Sequence, residues 1–219
     1  MASPKSNLAK ILDKIHAFNV GAHDDMLNPL SAVLKLLAEI RTLREGGGDK
    51  VTVGLHQLSD QIDLSRYSLR FLLAFSSLRS IIRGTYQDKD GDQVVTSLRY
   101  VQQILNILYS YHELQVYVRS IAPSLLHYSD TPYGRRSCQI WAISIILDLI
   151  CMHRKGELSL DSLRVSRNST LNFVANVCNL ALAVHWSSTT SSLSPLQVAM
   201  LRTISGLIAF FMRWYGTAE

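Results

Sequence analysis

The sequence predicts an all-α protein of about seven helices, with an amphipathic N-terminal half and a membrane-associated C-terminal hairpin. Three observations lead there. Apolar residues recur in steps of three and four almost throughout, glycine and proline fall between those runs, and no alternating strand pattern competes. The chain of 219 residues is long enough for one or two domains. It is 47% hydrophobic but only 18% charged, below the roughly 25% usual in soluble domains.

Leu8, Ile11, Leu12, Ile15 and Phe18 share one face of a first predicted helix. Asn28 and Pro29 read as N-cap and first helical residue of a second, which carries Leu30, Val33, Leu34, Leu37 and Ile40 and ends at Gly46-Gly47-Gly48. A third is predicted over residues 55–83, stopped by Gly84. The turn DKDGD at 88–92 leads to a long helix over 93–121, closed by Pro123. A fifth is expected over 137–154, then one over 159–186 and a last over 195–215 with Ser194 as N-cap and Pro195 at the first position. The chain divides into an amphipathic region, 1–130, holding a membrane-active helix at 63–84, and membrane-associated helices over 131–219.

No catalytic residues are expected: there is no phosphate loop, nucleophile elbow or HExxH motif. No metal and no cofactor is expected either. DKDGDQ starts like a calcium loop, but from Asp88 its glycine falls fourth and its twelfth position is Arg99. His16, His23, Asp24 and Asp25 have no second ligand cluster and read as solvated polar residues. Cys138, Cys151 and Cys178 lie in apolar segments without metal or redox spacing, as free thiols of a reducing compartment do. The net charge of +5 is Arg-rich and dispersed, which fits anionic lipid headgroups and lacks the basic block of a nucleic-acid binder. The first ten residues, MASPKSNLAK, hold no apolar core of a cleavable signal peptide, and the final WYGTAE is not a peroxisomal import tripeptide.

The expected membrane-binding residues lie on one helix. Leu64, Tyr67, Phe71, Phe75, Leu78 and Ile82 form a narrow apolar stripe, and Arg66, Arg70, Arg79 and Arg83 flank or oppose it. Burying six such side chains is worth roughly 9–18 kcal/mol gross, whether in lipid or in protein. Cations near an anionic surface add about 1 kcal/mol each, so the arginines tilt the choice toward interfacial insertion, while the periodicity alone equally fits an ordinary bundle helix.

The expected spanning pair is the final hairpin, residues 171–186 and 196–215, joined by the uncharged run SSTTSSLS. The loop before it carries Arg154, Lys155, Arg164 and Arg167, which places that loop and the C-terminus in the cytosol. Residues 139–152 offer only about 14 apolar positions, ~21 Å at 1.5 Å each, so they are expected to lie in the interface or to pack in a bundle. Asn172, Asn176 and Asn179 share one helical face, as expected where helices meet in lipid.

A run of motifs over residues 58–214 resembles the peroxin-eleven family of peroxisomal and glycosomal membrane proteins. LSRYSLRF (64–71) looks like that family's paired-Arg amphipathic helix, and ILNILYSYHELQVYV (104–118) like its central helix. RRSCQIWAISIILDLI (135–150) is similar to its basic-then-Trp segment, and NLALAVHW (179–186) followed by SGLIAFFMRW (205–214) to its C-terminal hairpin. Glu113 and Asn179 stand where acids are common in the family, and the N-terminal fifty residues match poorly. The resemblance implies a multi-pass peroxisomal or glycosomal membrane protein with both termini cytosolic. It would self-associate, bind anionic phospholipid, meet fission machinery and a membrane-protein import receptor, and elongate the organelle by wedging the helix at 64–82 into one leaflet. The family has also been proposed to pass small metabolites, for which Arg202 and the asparagine face would line a path. A soluble helical adaptor is the rival from another class.

Overall fold

The computed structural model describes residues 20–46, 49–125, 130–190 and 192–216. Among them are seven α-helices: α1 (Val20–Glu45), α2 (Lys50–Arg83), α3 (Gln93–Ile121), α4 (Asp130–Arg154), α5 (Leu160–Val165), α6 (Arg167–Ser187) and α7 (Pro195–Gly216), with a 3-10 turn at Pro123–Leu125. The described residues contain no strand, so the all-α expectation holds. The helix expected around residues 8–18 lies outside the described residues.

Several boundaries follow the local chemistry that predicts them. Gly84, at φ +69°, closes α2 in the left-handed conformation and donates its N–H to Ile81. Ser194 opens α7: its hydroxyl accepts from the Gln197 N–H at 3.3 Å, and Gln197 Oε1 accepts the Ser194 N–H at 2.8 Å. Other boundaries differ from expectation. Asp49 caps α2 by accepting from the Thr52 N–H, so that helix starts at Lys50. The helix expected over 159–186 is broken in two, because Ser166 ends α5 and caps α6, accepting from the Ser169 N–H at 3.3 Å.

Asn28 and Pro29 do not start a helix. Pro29 lies inside α1, which begins at Val20, and forgoes one backbone bond of the helical ladder. That position is where α1 meets α7. A Cβ on Gly206 would lie 3.2 Å from both Pro29 N and Pro29 Cα, so the two backbones approach as closely as small residues allow. Gly206→Leu is expected to pry α1 from α7 and cost about 1–3 kcal/mol by overpacking. Gly54→Leu, where an added Cβ meets nothing within 4 Å, is the control. Equal melting of the two variants in detergent would refute the tight crossing.

The six long helices form a ring. α1 packs on α2, α2 on α3, α3 on α4, α4 on α6, α6 on α7, and α7 returns to α1. The boundary expected near residue 130 therefore falls between two helices packed side by side, and the N-terminal half and the final hairpin share one interior. Small hydroxyl residues make the tight joins: Ser59 Oγ donates to the Ser31 carbonyl at 3.1 Å, and both residues are fully buried.

Candidate functional site: a polar interior inside an apolar ring

The interior of this ring is polar. The largest fully buried side chains are Leu182 and Val95 together with the hydroxyls of Thr52, Ser31, Ser59, Ser110 and Ser137, beside the fully buried alanines Ala32, Ala38, Ala183 and Ala199. Arg66, Glu113 and Arg202 are also buried. Large apolar side chains point outward instead. On α7, Met200, Ile204, Leu207, Phe211 and Trp214 form an exposed stripe, and on α3 Val94, Val101, Ile104, Leu108 and Tyr111 form another. Apolar atoms cover much of any protein surface, so the informative half of this pattern is the buried charge. A bundle with charge inside and long apolar stripes outside matches a lipid surrounding.

The charges form one network across four consecutive helices of the ring. Arg66 Nε donates to Asp24 of α1 at 2.8 Å, and its Nη1 to Asp63 at 3.0 Å. Arg70 reaches Asp24 Oδ2 at 3.4 Å, Tyr109 Oη at 2.9 Å and Glu113 Oε2 at 3.0 Å, joining α1, α2 and α3. Arg202 of α7 reaches past α1 to grip Asp63 with two parallel bonds, at 2.8 and 2.7 Å. Ser31 of α1 fills the remaining position, donating to Asp63 at 2.8 Å. Such bidentate pairs are the stronger, more directional kind. Elsewhere in the ring Gln102 donates to the Ser144 carbonyl at 3.0 Å, and Asn176 to Asp148 at 2.7 Å. At the α6–α7 turn, His185 Nδ1 accepts the Leu193 N–H at 3.1 Å.

The expected membrane-binding residues separate in this arrangement. Arg66 and Arg70 point inward to carboxylates, a correction to the reading in which they flank the stripe toward headgroups. Their (i, i+4) spacing puts both on the side of α2 that meets α1 and α3. Leu64 and Tyr67 line the interior cavity. Phe71, Phe75 and Leu78 are half-buried, with Phe71 edge-to-face on Phe75 at 5.6 Å. Arg79 is half-buried, while Ile82 and Arg83, at the end of α2, are exposed. Asp24, expected to be solvated, is instead the acceptor for Arg66 and Arg70. Asn172, Asn176 and Asn179 divide between the outside, Asp148 and the cavity.

DKDGD forms a turn tied to the end of α4. Lys155 bridges Asp88 at 2.5 Å, and Arg154 bridges Asp92 at 2.5 Å. The Lys155 hydrogen bond holds the Asp88 carboxyl below its ordinary range. The described residues hold no group of three or more His, Cys, Asp or Glu arranged for a metal ion.

Inside the ring lies a cavity of about 1050 Å³, partly open to the outside, to which all six long helices contribute. Along α2 it touches positions from Asp60 to Ser77, a rise of ~25 Å at 1.5 Å per residue. Among the described residues, eight charged ones line it: Asp24, Lys35, Asp60, Asp63, Arg66, Arg70, Glu113 and Arg202. Each is paired within the set, with Lys35 on Asp60 at 3.5 Å. Sequence reasoning named Arg66, Arg70 and Arg202 but paired them with no acid: Asp24 read as solvated, Glu113 only as a family position, and Asp63, one turn from Arg66, lies 139 positions from Arg202.

Among the described residues, two stretches are long and apolar enough to cross a membrane, Gly134–Arg154 and Pro195–Trp214. The sequence-based placement names the second but assigns the first to the interface or to bundle packing, because it counts a 14-residue apolar core without the flanking helix. Only 22% and 28% of their apolar windows are buried within the ring, so packing in the bundle does not account for their hydrophobicity. α6, expected to span as the other arm of the hairpin, holds no such stretch.

No protein-family model, curated protein or solved structure matches this chain. The motifs in their order over residues 58–214 therefore carry the family resemblance alone.

Proposed function

We propose that this chain is an integral membrane protein of the peroxisome or glycosome that elongates and multiplies the organelle without catalysing a reaction. The observation that carries the membrane half of this reading is the inverted distribution of side chains: paired charges and hydroxyls inside, apolar stripes outside. The organelle and its remodelling rest on the motif order at 64–71, 104–118, 135–150 and 179–214. In this reading the chain assembles with copies of itself, contacts anionic phospholipid, and hands a thinned tubule to fission machinery. The leaflet wedge acts from a docked α2, held by Arg66 and Arg70, through Phe71, Phe75, Leu78 and Ile82. Both termini face the cytosol.

Expressed as a fluorescent fusion in cells with peroxisomes, the full chain is expected to stay in the pellet at alkaline carbonate pH and to lengthen and multiply the organelles several-fold. Phe71→Glu is expected to keep the chain in the membrane but abolish lengthening. Release into the supernatant would favour a soluble adaptor, and undiminished lengthening by the Glu variant would remove the wedge.

A second reading is favoured by the ring and its cavity. A lumen of mixed polar and apolar lining, running ~25 Å along helices placed in a ~30 Å hydrocarbon layer, provides a path for a small solute. Conductance or flux in a reconstituted bilayer separates it from pure remodelling.

A further inference from the structure

The lumen is chemically selective. Among the described residues its charge sums to zero, four cations against four carboxylates, and each of these charges already has its partner inside the lining. A charged solute entering would meet no uncompensated charge, yet would lose its own hydration, a cost of several kcal/mol. What remains available is neutral. The side-chain amides of Asn28 on α1, Asn106 on α3 and Asn179 on α6 line the cavity, and none of the three has a hydrogen-bond partner among the described residues. Each amide offers two donors and an acceptor. Three such groups from separate helices, half-buried in a lipid-surrounded bundle, are satisfied only by water or by a polar guest. Trp141 and Trp186 add apolar faces to the same wall, stacked at 6.2 Å with their planes 21° apart.

We infer that this cavity is a binding site for a small uncharged polyhydroxylated solute, held by hydrogen bonds from Asn28, Asn106 and Asn179. The C–H surfaces of such a solute meet the tryptophan faces, and its hydroxyls both donate and accept, as the amides require. The ion-pair network fixes the helices that present the amides and takes no direct part. This inference rests on the second reading above, a membrane-embedded ring around a solute path.

The full chain in lipid nanodiscs is tested by equilibrium dialysis with radiolabelled sorbitol, and separately with inorganic phosphate. Saturable sorbitol binding is expected, with Trp emission shifting at the same midpoint. Asn106→Leu and Asn179→Leu should each weaken it about tenfold, the loss of one net hydrogen bond, while the ligand-free melting temperature is kept. Asn179→Gln, which retains the amide, should bind within a few-fold of the parent chain. Tighter binding of phosphate than sorbitol would overturn the inference, as would equal sorbitol binding by both Leu variants. A chain that withstands carbonate extraction but binds no sorbitol would overturn it while leaving the membrane reading intact. A chain that carbonate releases overturns the membrane reading itself.

Discussion

Asp63→Ala is expected to lower unfolding stability by about 3–5 kcal/mol, the range for removing one partner of a buried pair. The size follows from what is left behind. Asp63 accepts from Arg66, from Ser31 and twice from Arg202. Arg66 keeps Asp24, but Arg202, only 9% exposed, retains just a 3.3 Å contact to Ser31. A nearly unpaired guanidinium in a buried site is therefore the dominant cost. The double variant Asp63→Leu/Arg202→Leu removes both charges, and replacing a buried pair by apolar groups is often neutral or stabilising. It is expected to melt within about 1 kcal/mol of the parent, so the two substitutions are strongly non-additive. Detergent melting of the parent, both single variants and the double variant measures this coupling. Additive losses would mean that Arg202 and Asp63 act independently.

The helices were more legible in the sequence than their orientation. Caps and breakers are local: Ser194-Pro195, Gly84 and Pro123 mark their boundaries through the few residues around them. Pro29 misleads for the same reason. A proline is cheapest at a first helical position, and only its contact with Gly206, far along the chain, accounts for one inside α1. Ser166 breaks a run whose apolar spacing continues, so periodicity overlooks it.

Orientation is harder because a 3.6-residue period reports that a helix has two faces, not what each one meets. On α2 the sequence placed the arginines beside lipid headgroups and left their partners open. Asp24, Asp63 and Glu113 reverse that for Arg66 and Arg70; Asp63 lies one turn before Arg66, but Asp24 and Glu113 sit more than forty positions from the arginines they hold. The same ambiguity touches Asn172, Asn176 and Asn179: one shared face in sequence becomes three different surroundings once α4 and the cavity are in place. The signal available in advance was compositional. Serines that lie within the helical runs and turn out buried, Ser31, Ser59, Ser110 and Ser137, mark a bundle packed by small polar groups.

Ile204→Asp is the substitution that tells lipid from water around this ring. Ile204 is 42% exposed and sits at the middle of the apolar stretch Pro195–Trp214. In water, a charge at an exposed helical position changes stability by no more than about 0.5 kcal/mol. In a bilayer the same carboxylate lies at the centre of the hydrocarbon and costs about 2.5–3.5 kcal/mol on insertion. The expected result is a chain that loses membrane retention, or is degraded during synthesis, while Thr190→Asp in the α6–α7 turn is tolerated. Leu207→Asp, one turn further on the same stripe at 37% exposure, should behave like Ile204→Asp. Undiminished yield and melting for both stripe variants would mean that the outward stripe of α7 meets water. The buried charges of Arg66, Glu113 and Arg202 would then need an explanation other than an inverted bundle.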